Sequence, residues 1–479
     1  MSEVMSYRGH FRAILLLGLP LIGGNLAQFA ITFTDTLMLG WYDVEVLAGQ
    51  VLAGMLLFEL FLFGSGAAIA VMPLVAEAEA SGDDVQVRRV TRMGLWVSLV
   101  FALLFLPVFL WSGPIFLWLG QEPKVVEVAV DYLWIAGYGV IFALLGMVLK
   151  SYLSALERTG VVLWGTVASA VVNALANYAL IFGHWGAPEM GIKGAAVASL
   201  VSQAALFFAL LGYVIWGLGQ RSLFARIWRA DWGAMWLVIR LGLPIGFTNL
   251  AEVSLFAASG VMMGWLGAIP LAAHGIVLQI ASATFMVHLA LSSAATVRAG
   301  RAVGRGDPVG LRRGGVMVVS LSMVLALMAV VLFVVWPEAL IGVFLDPHDP
   351  RRGEVLAVGV VLMVMAALFQ LVDAAQVMAL GLLRGVKDTK VPMLMAVVAY
   401  WVIGVPASYV LGFVLGYEGV GVWLGLVIGL AVAATLLMWR FWMRAMPAAL
   451  PESVARGEID VPTAREDVAP IGSNLTGRL

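Results

Sequence analysis

The sequence predicts an all-α polytopic membrane protein, and three observations support this fold class. The chain is 62% hydrophobic and 12% charged, whereas soluble domains contain roughly 25% charged residues. Its apolar runs repeatedly exceed the length of about 20 residues that a helix needs to cross the hydrocarbon core. Segments of about 10 residues with alternating hydrophobicity, which are typical of a transmembrane barrel, are not visible.

Twelve apolar segments are long enough to be transmembrane helices. Their predicted bounds are 13–38, 47–73, 93–118, 128–153, 161–182, 190–217, 234–260, 269–296, 315–343, 355–382, 391–414 and 419–443. The two termini and the loops after even-numbered spans hold 24 Lys and Arg residues, and the loops after odd-numbered spans hold 4. Because cytoplasmic loops are enriched in Lys and Arg, we expect both termini to be cytoplasmic and the protein to lie in the cell inner (cytoplasmic) membrane.

The chain contains an internal repeat. The stretch 241–274 aligns without a gap on 17–50, 224 positions earlier, and twelve identical residues recur. The unlike positions are informative, since Gln28 in the first copy becomes Glu252 in the second, and Asp35 has no acidic copy. A Gly-Asp pair at 82–83 likewise recurs at 306–307.

The repeat predicts the domain organisation. With six spans per copy, both copies enter the bilayer in the same direction, so they are parallel repeats with a substrate site expected between them. The predicted units are a first six-helix lobe at 1–217 and a second at 233–446. A basic cytoplasmic linker at 218–232, with Arg221, Arg226 and Arg229, connects them. A disordered cytoplasmic tail is predicted at 447–479.

Composition and motifs exclude several function classes. A formal net charge of −1 argues against nucleic acid as a partner, and zero Cys excludes disulfides and thiol chemistry. The nucleophile elbow, the zinc-protease motif, the P-loop and paired metal ligands are all lacking, so we expect neither an enzyme nor a bound cofactor. The expected form is a monomer surrounded by membrane lipid.

Three carboxylates inside the spans are the main candidate site residues. Asp35 shares a helical face with Gln28, although a position near the helix end that reaches headgroup water is the alternative. Glu252 lies in the middle of its span on one face with Asn249. A charge in hydrocarbon costs about 2.5 to 3.5 kcal/mol or more, so such residues point to function.

The third carboxylate, Asp373, is flanked at i−3 and i+3 by Gln370 and Gln376, and its counterpart in the first copy is Gly146. A carboxylate in a low-dielectric pocket holds a proton more readily than in water, and two carboxylates with amide oxygens can instead coordinate a hard monovalent ion. The sequence leaves Na⁺ and H⁺ open. Beyond a possible Na⁺ at Glu252 and Asp373, no metal site is expected.

The residues also carry a family resemblance. Three stretches resemble the multidrug and toxic compound extrusion transporters, and among them the NorM-type branch. They are TDTLMLG around Asp35, LGLP at the start of the Glu252 helix and VDAAQVMALGLLRGVKDTKVP around Asp373. The resemblance implies two six-helix lobes in a V and alternating access that exports organic cations and amphiphilic drugs in exchange for Na⁺ or H⁺. It also implies that Glu252 and Asp373 bind the cation and that Asp35 couples cation and substrate.

Two positions depart from that family pattern. Asn173 and Asn177 lie at i and i+4 in the fifth span, where relatives place an aspartate near the second position, and they are candidate supporting residues for the substrate. Glu59 lies in the middle of the second span. It is either an extra titrating group facing the cleft or a protonated side chain directed at a neighbouring helix.

The main alternative function is a flippase for a lipid-linked precursor. That function calls for a cationic groove facing a diphosphate, and the chain has few basic residues inside its spans. A channel would leave carboxylates concentrated in one lobe unexplained. We therefore expect a secondary antiporter.

Overall fold

The computed structural model describes residues 5–219, 223–224, 227–345, 347 and 350–449. It is 89% helical, and the part of the chain that it describes contains no strand and twelve helices long and apolar enough to cross a membrane. The predicted fold class is confirmed. We number these helices α1 to α12: Tyr7–Tyr42, Val46–Ala80, Asp84–Leu110, Pro123–Ala155, Thr159–Phe182, Ile192–Gly217, Trp232–Leu266, Ala268–Gly304, Pro308–Val335, Arg352–Gly385, Lys390–Val414 and Glu418–Ala448.

Two predicted spans were drawn too long at their carboxyl ends. The third and ninth spans were expected to reach residues 118 and 343, but α3 ends at Leu110 and α9 at Val335. A separate short helix follows each of them, at Ser112–Trp118 and Pro337–Gly342. Prolines at 114 and 337 lack the amide hydrogen that would bond to the carbonyl four residues earlier, which weakens a continuous helix at these points.

The duplicated sequence folds into duplicated backbone details. Asp83 and Asp307 cap the starts of α3 and α9, and each carboxylate accepts a hydrogen bond from the backbone NH three residues on, at 2.9 Å and 2.7 Å. The preceding residues, Gly82 and Gly306, both have left-handed φ values of 78° and 62°, which glycine adopts without steric cost.

A second matched pair of residues, both glycines, lies where neighbouring helices cross. A Cβ added at Gly194 would lie 2.5 Å from the carbonyl oxygen of Leu180, where α6 crosses the end of α5. A Cβ at Gly421 would lie 2.5 Å from the carbonyl oxygen of Leu411, where α12 crosses the end of α11. Only glycine permits this backbone approach, so the same helix crossing is built in both halves.

The two halves meet chiefly at one end of the bundle, which we call the terminal end because α1 begins there and the chain passes there from α6 to α7. Lys387 forms an ion pair with Glu77 at 2.6 Å, and Arg301 with Glu157 at 3.4 Å. Deeper in the bundle, Gly66 of α2 packs directly on the backbone of α7. This closure of one end is what two arms of a V require.

The predicted domain boundaries fall partly outside the described residues. Arg221 and Arg226 of the linker and residues 450–479 of the tail are not described. Residues 446–448 still form a helical turn, so the polar tail does not begin at 447 as predicted. The remaining domain boundaries stay a prediction.

Candidate functional site

The first half contains a polar cluster around Asp35 of α1. This carboxylate is 7% exposed, accepts a hydrogen bond from the side-chain amide of Asn177, and accepts another at 3.2 Å from the hydroxyl of Ser199 on α6. The Asn177 amide also donates to Asn173 at 3.2 Å. Asp35 is therefore a buried and hydrogen-bonded carboxylate and does not lie at the headgroup water.

Local sequence explains how this cluster forms. Asn173 and Asn177 are one turn apart on α5 and so present their amides to the same neighbour. The helix α1 approaches α5 closely because Gly23 faces Leu163, whose side chain would lie 2.8 Å from a Cβ at that position. The amides predicted as supporting residues thus lie against Asp35, as partners of the carboxylate.

Gln28 lies two turns before Asp35 on α1 and makes a different contact. Its amide oxygen accepts a hydrogen bond at 3.4 Å from the ammonium of Lys150 on α4. Sequence reasoning did not single out Lys150. The signal was available, because a lysine inside a predicted membrane span is costly and rare.

The second half contains the two other predicted carboxylates. Glu252 of α7 is 9% exposed and accepts a hydrogen bond at 3.2 Å from the side-chain amide of Gln376 on α10. Asp373, also on α10, is fully buried, and neither of its carboxylate oxygens has a hydrogen-bond partner among the described residues. Gln376 lies one turn after Asp373 and donates to Glu252, so Asp373 is on the side of α10 that faces Glu252. Two ionised carboxylates on facing helices repel each other.

Further oxygen atoms surround this pair without partners of their own. Gln370 of α10 is fully buried with both amide atoms unpaired, and the hydroxyl of Tyr400 on α11 is equally buried and unpaired within the described part of the chain. Sequence reasoning missed this tyrosine, since nothing in a span rich in aromatics distinguishes it.

A base completes the second cluster. Arg384, near the end of α10, donates a hydrogen bond at 2.9 Å to the side-chain oxygen of Asn249 on α7, and its charge acts on Glu252. Neither Arg384 nor Lys150 was assigned a role from the sequence, although each reaches the polar interior of one half.

Glu59 lies apart from both clusters. It is half-buried on α2, and no hydrogen-bond or ion-pair partner is found for it in the residues described. It shares a helical face with Phe63 one turn later, whose ring packs on Phe247 of α7 at 5.0 Å. Glu59 is therefore on the side of α2 that faces the other half, and its role stays a prediction.

The second cluster has the chemistry of a site for a small cation. Buried polar groups are nearly always hydrogen-bonded, and an unpaired buried carboxylate is strongly unfavourable. Carboxylate, amide and hydroxyl oxygens suit hard cations, and a proton on either carboxylate would also remove the repulsion. The described residues contain no group of three or more His, Cys, Asp and Glu that could hold a metal ion.

The fold and the duplicated polar interior define a polytopic membrane protein built from two six-helix halves. A family model, MatE, matches residues 20–179 and 244–410, which is more than half of the chain. The chain therefore belongs to the MatE family, as the resemblance predicted. These residues include both polar clusters up to Tyr400 except for Ser199.

Relatives from other bacteria support the same assignment. The chain is 49% identical over 440 residues to a protein of Rhizobium meliloti (strain 1021) named "Probable multidrug resistance protein NorM", with 91% of this chain and 94% of the relative covered. It is 47% identical over 438 residues to a protein of the same name from Agrobacterium fabrum, with the same coverage. These relatives are named as multidrug resistance proteins and the family is not one of enzymes, so the expectation that the chain is not an enzyme is confirmed.

Solved structures share the fold at low sequence identity. One described as the outward-facing conformation of a multidrug resistance MATE family transporter matches with a TM-score of 0.83 at 17% identity, covering 92% of this chain and 97% of that one. A eukaryotic MATE transporter matches with a TM-score of 0.82 at 18% identity, covering 95% and 100%. At this identity the likeness concerns the fold alone.

Proposed function

We propose that the protein is a cation-coupled antiporter that exports organic cations and amphiphilic drugs across the cytoplasmic membrane by alternating access. The observation that carries the proposal is Asp373, whose two carboxylate oxygens are buried without a partner among the described residues, on the side of α10 that faces Glu252. Such a pair is better explained by an ion that enters and leaves the site than by a fixed structural role. The names of the relatives, multidrug resistance proteins, supply the substrate class.

In this mechanism the second half handles the coupling ion. Glu252 and Asp373 repel each other when both are ionised, and binding of Na⁺ or H⁺ relieves that repulsion. Moving one elementary charge inward yields about 2.3 kcal/mol per 100 mV of membrane potential, which is available to drive export. Asp35 in the first half couples the ion step to substrate release.

The proposed orientation places both termini in the cytoplasm. The terminal end, which the ion pairs of Glu77 and Glu157 hold closed, then faces the cytoplasm. The two halves diverge toward the outside, where the substrate leaves. A monomer is sufficient for this cycle, because both clusters belong to one chain.

The test uses purified full-length protein in liposomes loaded with ethidium, with a sodium gradient or a pH gradient imposed separately. We expect one of the two gradients to drive ethidium movement, and the Asp373→Asn and Glu252→Gln proteins to lose that response. The matched control is Asp131→Asn, which removes an exposed carboxylate paired with Lys193 at 3.1 Å. Full export by both interior variants would refute the coupling role, and no response of folded parent protein to either gradient would favour the lipid flippase.

A further inference from the structure

Lys150 is a base in the interior of the first half that the proposed ion cycle does not use. Its ammonium carries three hydrogen-bond donors, and the structure gives it one acceptor, the neutral amide oxygen of Gln28 at 3.4 Å. No carboxylate of the described residues forms an ion pair with it. A cation in a membrane interior with a single neutral partner is poorly compensated.

The surroundings of Lys150 place it on an internal space. Two faces of α1 contact different halves of the protein. Asn25 donates a hydrogen bond to the backbone of α8 in the second half at 3.2 Å, whereas Gln28 and Asp35 point into the first half. The Lys150 side chain reaches across to that inner face, and both it and Gln28 keep part of their surface accessible. The two side chains therefore border a region between α1 and α4 that protein atoms do not fully cover.

Opposite charges are separated along this space. Gln28 and Asp35 are seven residues apart on α1, which corresponds to about 10 Å along the helix axis. The ammonium of Lys150 lies at one level and the carboxylate of Asp35 at the other. The first half is thus bipolar, with an anion-attracting end and a cation-attracting end within the length of one drug-sized molecule.

The second half offers no copy of the base. The position that corresponds to Lys150 at the offset of 227 seen in this part of the repeat is Val377, and its backbone carbonyl accepts a hydrogen bond from Ser292. Arg384, the base in the second half, is near Glu252 and is bonded to Asn249. Lys150 is therefore specific to the half that lacks the carboxylate pair.

We propose that Lys150 and Gln28 form an anion-binding subsite, which receives the carboxylate of a zwitterionic amphiphile whose cationic end lies at Asp35. The ammonium and the Gln28 amide donate hydrogen bonds to the two carboxylate oxygens. The inference deepens the proposed function and rests on it, since it divides the substrates into purely cationic compounds and zwitterions. The zwitterions alone depend on Lys150.

The experiment compares two dyes that differ in one charge: a rhodamine with a free carboxylate and its methyl ester, which keeps the same cationic ring system. Binding to full-length protein in nanodiscs is followed by fluorescence anisotropy. We expect Lys150→Gln to weaken binding of the acid by roughly tenfold to hundredfold, the range for losing a hydrogen bond to a charged group. Binding of the ester should change by less than about twofold, because it makes no such bond.

Four further variants sharpen the comparison. Lys150→Arg keeps the charge and restores acid binding, and Gln28→Met weakens the acid but not the ester. Asp35→Asn weakens both dyes, because it removes the cation-attracting end. Lys193→Gln, which removes an exposed base of the same half, changes neither dye and controls for the general effect of losing a positive charge.

The outcomes separate the two levels of the proposal. An equal loss of binding of both dyes in Lys150→Gln, or unchanged binding of the acid in both Lys150→Gln and Gln28→Met, overturns the anion subsite. Binding of the ester by the parent protein still supports the proposed function in that case. Failure of folded parent protein to bind either dye overturns both. Selective loss of the acid with rescue by Lys150→Arg supports the subsite.

Discussion

The two halves of this protein share a backbone and differ in how they treat a buried carboxylate. Asp35 in the first half is held by Asn177 and Ser199, so its oxygens have partners. Asp373 in the second half is more deeply buried and has none among the described residues. The comparison teaches that burial alone does not single out the carboxylate that we propose as the ion site. Its unfilled hydrogen-bonding capacity does, because a buried polar group needs a partner and a bound cation supplies one.

The duplication separates scaffold residues from site residues. Residues that build the backbone are retained in both copies, as the capping Asp83 and Asp307 show. Polar residues that face the interior have changed, since Gln28 corresponds to Glu252 and Gly146 to Asp373. Corresponding helices thus carry groups of both charges in the first half and the carboxylate pair in the second half.

The substitution with the largest expected effect lies in the second half. Replacing Asp373 by Asn removes the unpaired charge, and we expect ion-driven export of ethidium to fall by at least about tenfold, the loss for roughly 1.4 kcal/mol of coupling free energy. Initial rates in liposomes under an imposed gradient measure this. Transport at the parent rate would show that the unpaired carboxylate is not the coupling site.

The next effect tests whether the two scaffolds are equivalent. Gly194→Ala and Gly421→Ala each push a Cβ to 2.5 Å from a carbonyl oxygen, and overpacking of this kind costs up to about 3 kcal/mol. We expect both variants to lose similar thermal stability in detergent. Gly160→Ala, at a position with no atom within reach of the new Cβ, is the control. A loss confined to one half would show that the helix crossings are not energetically equivalent.

A smaller effect distinguishes the two carboxylates by stability. Asp35→Asn presents an amide to the donors Asn177 and Ser199, so we expect a loss of about 2 kcal/mol from unsatisfied hydrogen bonds. Asp373→Asn removes an uncompensated charge and should leave stability unchanged or raised. Thermal unfolding of the two variants in the same buffer measures the difference. The contrast drawn between the halves fails if Asp373→Asn is the less stable of the two.

The smallest effect concerns the matched caps of α1 and α7. Ser6 and Asp231 each accept a hydrogen bond from the backbone NH three residues on, at 3.2 Å and 3.1 Å. The Arg89 guanidinium beside Asp231 lowers the pKa of that carboxyl to about 2. A lowered pKa means that the ionised group stabilises the fold above its ordinary value near 3.9 and that this contribution is lost as the pH falls toward about 2.

We therefore expect the stability advantage of the parent over Asp231→Asn to be constant above about pH 5 and to shrink as the pH falls toward about 2. Thermal unfolding at a series of pH values measures it. The cap of α1 carries no charge, so Ser6→Ala should show a pH-independent loss. An advantage of the parent that grows on acidification would contradict the assigned ion pair.

Particular residues show how much of the structure could be predicted from the sequence. The twelve spans and the repeat were readable because lipid demands long apolar runs, and Glu252 and Asp373 stood out against that background. The breaks after Leu110 and Val335 were missed because apolar composition continues through them. Lys150 was passed over although a lysine inside a predicted span is a sequence signal. Its partner Gln28, 122 positions away, could be found only in the structure.

The sequence by itself determined the helices, their duplication and the identity of the interior carboxylates. Each of these is a local property, because a helix in lipid satisfies its own backbone and a charge in an apolar run is costly wherever it lies. Only the tertiary structure decided which carboxylate has partners. Asn177 reaches Asp35 across 142 positions and Gln376 reaches Glu252 across 124, while Asp373 has no partner in the part of the chain that the structure describes. Hydrogen bonds between helices depend on how distant segments pack, which no local pattern encodes.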